Sequence, residues 1–448
     1  MNYRLYVVYR YTERIKIWFS SRLTTVGNLF LLLLGISVLF GMDIKSTMIY
    51  QIAGAVFSLL LIAVLASLRF RPHLQIHRVF PETCMAGQEL HYTIILQNHG
   101  RSRLSGLLYR EEIPESLPTW QEFRSTAEEG EETRNFFDRK MGYYRWLWLL
   151  RNRCRIGSYD QELPSLSPGK KQEIQGVLLP LKRGNVLLSG YVLSRIDPLG
   201  LCRHEINSQA PEKLLVLPKV YAMPRFFFPG SRKYHQGGIS SAQSRGDSSE
   251  FVALRDYNVG DPIKHIDWKS TARTGRTIVK QYRDEYFCRF ALILDSFSPQ
   301  RYSRLFEAAV SVSASILMAE DNEDAVFDLL FVGDGCQTSS MGRGLADRQR
   351  ILEILASVTT CGDKDFGEMA RLVKSHSGLL SGIIVVLIDL DEHRRDFLNS
   401  LAAHKIPLKV LVLVADKEDF AAKKKKLQIK TVLRQIDIDR LEEQLALL

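Results

Sequence analysis

Residues 250–296 read EFVALRDYNVGDPIKHIDWKSTARTGRTIVKQYRDEYFCRFALILDS. Most of the stretch is polar and carries both signs of charge, at Arg255, Asp256, Asp261, Lys264, Asp267, Lys269, Arg273 and Arg276. Turn signals stand at Val259-Gly260-Asp261-Pro262 and Thr274-Gly275-Arg276. An apolar run at 290–294 then stops at Asp295. A short buried strand with a carboxylate at its C-terminal end is how open α/β sheets present a ligand site. The polar part therefore reads as a lead-in to the first strand of an α/β domain.

Downstream, strands and helices alternate. Apolar runs at 325–332, 382–390 and 408–414 predict strands, and the continuous Ile and Val of 382–390 suit a central parallel one. Helices are expected at 302–318, 345–358, 366–375 and 392–404. The first puts Leu305, Ala309, Val312 and Ile316 on one face. The lysine run at 423–426 reads as a solvated loop, followed by a strand at 427–433 and a helix to Leu448. This order predicts a doubly wound α/β domain over residues 290–448.

Upstream, 221–289 holds a Gly/Ser-rich linker at 230–246 and the polar lead-in. From 72 to 220 the period changes to two, as in His91-Tyr-Thr-Ile-Ile-Leu-Gln97, and predicts a small β-sandwich. An insert at about 120–171 interrupts it. Glu128, Glu129, Glu131 and Glu132 suggest a solvated turn of helix, and 143–155 interleaves aromatics with arginines. Three readings fit 143–155: base stacking on nucleic acid, a membrane interface, or an element packed on the sandwich.

Residues 1–71 read as a membrane anchor. Stretches of 17 and 21 uncharged residues, 26–42 and 48–68, are separated only by 43–47 and predict a hairpin of two transmembrane helices. The N-terminal tail has Arg4, Arg10, Arg14, Lys16 and Arg22 and no small-residue cleavage site, which argues against a removable signal peptide. Arg69, Arg71 and Arg78 follow the second stretch, whereas the connecting loop has Lys45 against Asp43. The positive-inside rule puts both chain ends in the cytoplasm of a multi-pass inner-membrane protein. That orientation also accounts for the net charge of +10 better than nucleic-acid binding does. Six scattered cysteines with no CxxC pair exclude a zinc ribbon or a disulfide framework.

The pattern EFxxLRxYxxGDxxxxIDWKxxARTGxxxVKxxxxE is carried here by Glu250, Arg255, Tyr257, Gly260, Asp261, Asp267, Trp268 and Arg273. With its trailing strand and Asp, it resembles the signature of the bacterial domain-of-unknown-function family numbered fifty-eight. Arg183-Gly184 and the DPLGL of 197–201 extend the resemblance back to about residue 72. It implies a membrane-anchored protein with a von Willebrand factor A–like domain, often encoded beside MoxR-type AAA+ ATPases. It implies no particular activity.

A-type domains bind Mg²⁺ through Asp-x-Ser-x-Ser, a Thr and a further Asp. At the corresponding place this chain has Asp295-Ser296-Phe297-Ser298-Pro299, so Phe and Pro take the serine positions. Lys364 falls where the Thr should be, with Thr359 and Thr360 nearby, and Asp389 and Asp391 supply the third loop. The expectation is a degenerate site with no cofactor and with a lysine satisfying Asp295.

The chain has no GxSxG, HExxH or GxxxxGK[ST] motif. Asp261 and Asp267 are open to acid/base work or to a structural role in which Asp267 holds Arg273 or Arg276. Two functions follow. One is a non-catalytic adaptor that presents the loops at 295–301, 361–365 and 389–394 to a MoxR-type ATPase. Those loops offer Arg301, Lys364, Arg394 and Arg395 against Asp295, Asp365, Asp389, Asp391 and Glu392. The other is a membrane-bound hydrolase using Asp261 and Asp267. The expected partners are the ATPase and the bilayer, with no nucleic acid.

Overall fold

The computed structural model describes residues 3–40, 47–68, 70, 72–114, 117–128, 130–224, 234–235, 250–283, 286–300, 302–319, 325–333, 336–341, 345–362, 364–376, 380–403, 406–415 and 432–448. The linker core, Arg301 and the lysine run at 423–426 lie outside them. The chain divides into two compact units, Met1–Lys219 and Val220–Leu448.

The first unit opens with three helices, α1 (Tyr3–Arg22), α2 (Thr25–Phe40) and α3 (Thr47–Leu68). The basic N-terminal stretch, read above as a tail, is thus a regular helix of 20 residues. Among the described residues one helix, Met48–Leu68, is long and apolar enough to cross a membrane, and most of it is not buried. The core helix of a soluble domain would be mostly buried. Helix α2 is equally free of charge but has 16 residues. At 1.5 Å per residue it spans about 24 Å, less than a hydrocarbon core of about 30 Å. The two apolar helices pack on each other.

Among the described residues, nine strands form two sheets around one core. One sheet has the order β1 (Leu74–Val79), β3 (Leu90–Asn98), β7 (Lys171–Pro180), β5 (Ile156–Gly157). The other runs β2 (Thr83–Met85), β9 (Arg203–Leu217), β8 (Gly184–Ile196), β4 (Leu107–Glu112), β6 (Gln161–Leu163). In β3 the period of two puts Leu90, Tyr92, Ile94 and Leu96 inside, against Leu107, Tyr109, Leu188 and Leu193 of the facing sheet. Within this apolar layer lies a buried ion pair that nothing in the pattern announces. Arg78 Nη1 donates to Glu111 Oε2 at 2.5 Å, and Tyr92 and Tyr109 donate to Glu111 Oε1. Burial pushes the Glu111 carboxyl above its ordinary range, while Tyr109 and Arg78 pull it back. Every partner of the carboxylate is a donor, as a buried charge requires.

The insert forms α4 (Trp120–Ser125), α5 (Phe136–Met141) and α6 (Tyr143–Arg153). Thr119 and Glu122 make a reciprocal capping box at the start of α4. Trp146, Leu149 and Phe123 are buried, and Tyr6 of α1 packs among Trp120, Phe123 and Trp146. The aromatic run is therefore a packed helix, and Trp146 and Trp148 are not free to stack on bases. The acidic turn also differs from expectation: Glu131 is buried and pairs with Arg145, while Arg153 pairs with Glu122.

The second unit is a mixed α/β layer structure. Its main sheet runs β15 (Cys336–Met341), β14 (Ala325–Val332), β13 (Tyr286–Leu294), β16 (Gly382–Leu387), β17 (Leu408–Val414), β18 (Val432–Asp437), and β10 (Tyr234–His235) pairs with β13. Strands β13, β14, β16, β17 and β18 are parallel, and β15 is an antiparallel edge. Helices α8 (Arg304–Ala319), α9 (Leu345–Ser357), α10 (Gly367–His376) and α11 (Glu392–Ala403) complete the layers. Ala291, Ile293, Val385 and Val412 pack against Met369 and Val373 of α10 and Phe397 and Leu401 of α11. Helix α8 contacts β13, β16 and β17. Chain order reverses between β13 and β16, which makes the C-terminal end of β13 the switch-point crevice. Asp295 stands there.

Candidate functional site

The signature forms an arm of its own. Strand β11 (Glu250–Asp256) pairs antiparallel with β12 (Ile278–Arg283), from Glu250↔Arg283 to Asp256↔Ile278, and α7 (Trp268–Thr274) lies between them in the chain. Arg255 grips Asp261 with both guanidinium nitrogens, at 2.6 and 2.7 Å. The same carboxylate accepts Asn258 N–H at 2.9 Å, closing a turn whose Gly260 sits at φ +106°. A side chain other than glycine is strained there. Asp267 is the N-cap of α7 and accepts from Lys269 N and Ser270 N. Thr271 Oγ1 accepts Ile278 N–H at 3.0 Å, and Gly275 ends the helix at φ +70°.

Two expectations change here. The anticipated Asp267–Arg273 pair does not form; among the described residues the arm's close ion pair is Arg255–Asp261. Asp267 is occupied by the first N–H groups of α7, whose orphan donors need an acceptor more than an exposed arginine does. Asp261 and Asp267 also serve separate turns, so they do not converge on one reacting atom. Tyr257 is half-buried, and its N–H donates to Thr277 O at 2.9 Å. The Glu250 side chain lies outside the description.

Arg255, Asp261 and Asp267 thus hold the signature's own turns, while three of its large apolar side chains face water. Val259 is 102% exposed, Ile263 71% and Trp268 66%. Lys269, Arg273 and Arg276 are exposed on the same arm. Large apolar side chains grouped on a polar, self-bonded segment mark a contact surface rather than a core.

The second candidate is the crevice at Asp295. Its carboxylate is fully buried and accepts four N–H groups: Phe297 N at 3.0 Å, Ile388 N at 3.1 Å, Arg394 Nε at 2.6 Å and Arg394 Nη2 at 3.1 Å. Arg394 also donates to Phe297 O at 2.8 Å and to Asp391, and lies 5.1 Å over the Phe366 ring. Burial pushes the Asp295 carboxyl up from the ordinary carboxylate range, against Arg394 and the two backbone N–H groups. With all four facing lone-pair positions met by donors, the geometry holds the charged form.

The remaining expected ligands turn elsewhere. Ser296 Oγ donates to Val332 O, Ser298 Oγ accepts Gln300 N–H, and Asp389 accepts Leu390 N–H. Lys364 does not reach Asp295; its Nζ donates to Gly333 O at 2.7 Å. Among the described residues no three His, Cys, Asp or Glu side chains converge as metal ligands. The residues present do not fit Mg²⁺, because a guanidinium with five fixed donors stands where the cation and its acceptors would be. Arg394 was read above as a surface charge of the docking loops, but it is buried. No local signal marks it: the neighbouring Arg395 has the same flanks and stays half-buried.

Residues 253–425 match the family described as "Protein of unknown function DUF58". A stretch of 123 residues, 27% of this chain, is 30% identical to "Uncharacterized protein YeaD" of Bacillus subtilis (strain 168). The chain spans 29% of the length of that curated relative.

Proposed function

From a chain whose residues 253–425 carry this family's domain, we propose a membrane-anchored, non-catalytic adaptor. Helices α2 and α3 form its inner-membrane hairpin, both chain ends lie in the cytoplasm, and the α/β unit is an A-type domain whose signature arm binds a partner protein. The strand order, with β15 as an antiparallel edge and a carboxylate at the switch point, supports the A-type reading. The sealed Asp295–Arg394 crevice supports a domain that works without a bound cation.

One observation carries the adaptor reading: Val259, Ile263 and Trp268 stand exposed on an arm whose polar groups hold its own turns. The basic rim of Lys269, Arg273 and Arg276 suits an apolar pocket edged by acids. The family resemblance points to a MoxR-type AAA+ ATPase as the partner. Detergent-solubilised full-length protein is expected to bind that ATPase, and Trp268→Ala to weaken binding by about 30-fold or more, as loss of a central aromatic anchor does. Added salt should weaken it further. Equal binding by Trp268→Ala and by Ile263→Ser, with both variants folded, would remove the arm from the interface.

A further inference from the structure

We infer that α1 is an in-plane membrane helix, seated in the headgroup region of an anionic bilayer through the face it turns away from the sandwich. The inference rests on the anchor reading above. Helix α1 has two faces of opposite use. Tyr6 is buried in the insert, and Tyr9 donates to Met141 O at 3.2 Å. The opposite stripe is Arg4, Val8, Tyr11, Ile15, Trp18 and Arg22, at spacings of four and three that follow one side of a helix, and Arg22, at the end that meets β9, also lies near Glu205. All six are exposed, and so is the neighbouring Val7.

The composition of this stripe selects its occupant. Apolar and aromatic residues run along its centre with arginine at each end, and Arg14 lies along its edge. That is the pattern of a helix lying at the acyl–headgroup boundary, with guanidinium groups reaching phosphates. Arg22 stacks over Trp18 at 5.3 Å, holding a cation beside an interfacial aromatic. Continuity supports the same occupant: only Leu23 and Thr24 separate α1 from the apolar helix α2. Helix α5, tied to α1 through Tyr9, adds exposed Phe136 and Phe137 beside Arg139 and Lys140. A protein partner would leave the charge at both ends of the stripe and the junction with α2 unexplained.

Tryptophan reports on this directly, because residues 25–68 contain none. Full-length protein is reconstituted into phosphatidylcholine vesicles, with or without phosphatidylglycerol, containing lipids brominated just below the headgroup. Emission should be quenched, more strongly with phosphatidylglycerol, and Trp18→Phe should remove at least half of the quenched component. Ile15→Glu should reduce that component several-fold while the protein still floats with the vesicles. Failure to float would overturn the anchor and this inference together. Flotation with quenching unchanged by Trp18→Phe would overturn this inference alone. Emission that shifts with protein concentration instead of with bromolipid would assign the stripe to a second copy. Equal quenching in both lipids would overturn the preference for an anionic bilayer.

Discussion

A carboxylate with no exposed surface, met by a guanidinium and two backbone N–H groups, makes each partner dependent on the other. Removing the arginine leaves a buried charge with half its donors, and a residue that looks like a surface cation becomes a structural one. Arg394→Met is expected to destabilise the α/β unit by about 3–5 kcal/mol, and Asp295→Leu by a similar amount. The double variant should recover most of this loss, because an apolar pair of similar volume is often neutral at such positions. Amide exchange of β16 and α11 in the full-length protein measures it. Single variants that exchange like wild type would show that the pair stabilises nothing. The sequence made Asp295 legible, since a strand that ends in Asp is a visible pattern. It hid the partner, because 99 residues separate the two and nothing local distinguishes an arginine that turns inward from one that faces water.

At the scale of elements, the insert is held by charge as much as by its aromatic core. Burial pushes Glu131 up, and the Arg145 hydrogen bond together with the Glu128 N–H outweighs it, so the carboxyl lies below the usual range. Glu122 is likewise raised by burial and lowered further by the Thr119 N–H and Arg153. A depressed folded value means that the stabilisation is complete above the ordinary Glu range, about 4.3, and is lost as pH falls through the folded value. Acidification below pH of about 4 should therefore loosen α4 and α6 before the sandwich strands, read as faster amide exchange at Phe123 and Trp146. Loosening that begins on the alkaline side instead would contradict the assignment. Elements with a strong apolar period, such as β3, β17 and α8, were readable within a residue or two, and β16 ends three residues before the expected 390. The edge strand Cys336–Met341 was missed, because one polar edge needs no apolar alternation. Helix α1 was missed because its arginines suggested a flank, and its packing face is built from tyrosines that only the insert explains.

For the molecule as a whole, the number of membrane crossings decides where the α/β unit works. Helix α3 alone would put the chain before it and the chain after it on opposite sides. The contacts at the two outer ends of α2 and α3 argue otherwise. At the start of α2, Thr24 N–H donates to Leu201 O at 3.0 Å and Thr24 Oγ1 to Gly200 O at 2.6 Å, both in the turn between β8 and β9. A Cβ on Gly27 would come within 2.0 Å of Leu201 O, so the approach needs glycine there. Asp197 shapes that turn by accepting Leu199 N–H and Cys202 N–H. Just beyond the end of α3, Phe70 is buried in the sandwich core. Both outer ends thus meet the same sandwich, as the proposed hairpin requires. In the proposed hairpin, Arg4, Arg10, Arg14, Lys16 and Arg22 before α2 and Arg69, Arg71 and Arg78 after α3 would put that side in the cytoplasm. A reporter active only in the periplasm is expected to work when inserted at residues 43–47 and to stay silent when fused after Leu448. Activity after Leu448 would mean an odd number of crossings, with the sandwich contacts of Thr24 broken in the membrane.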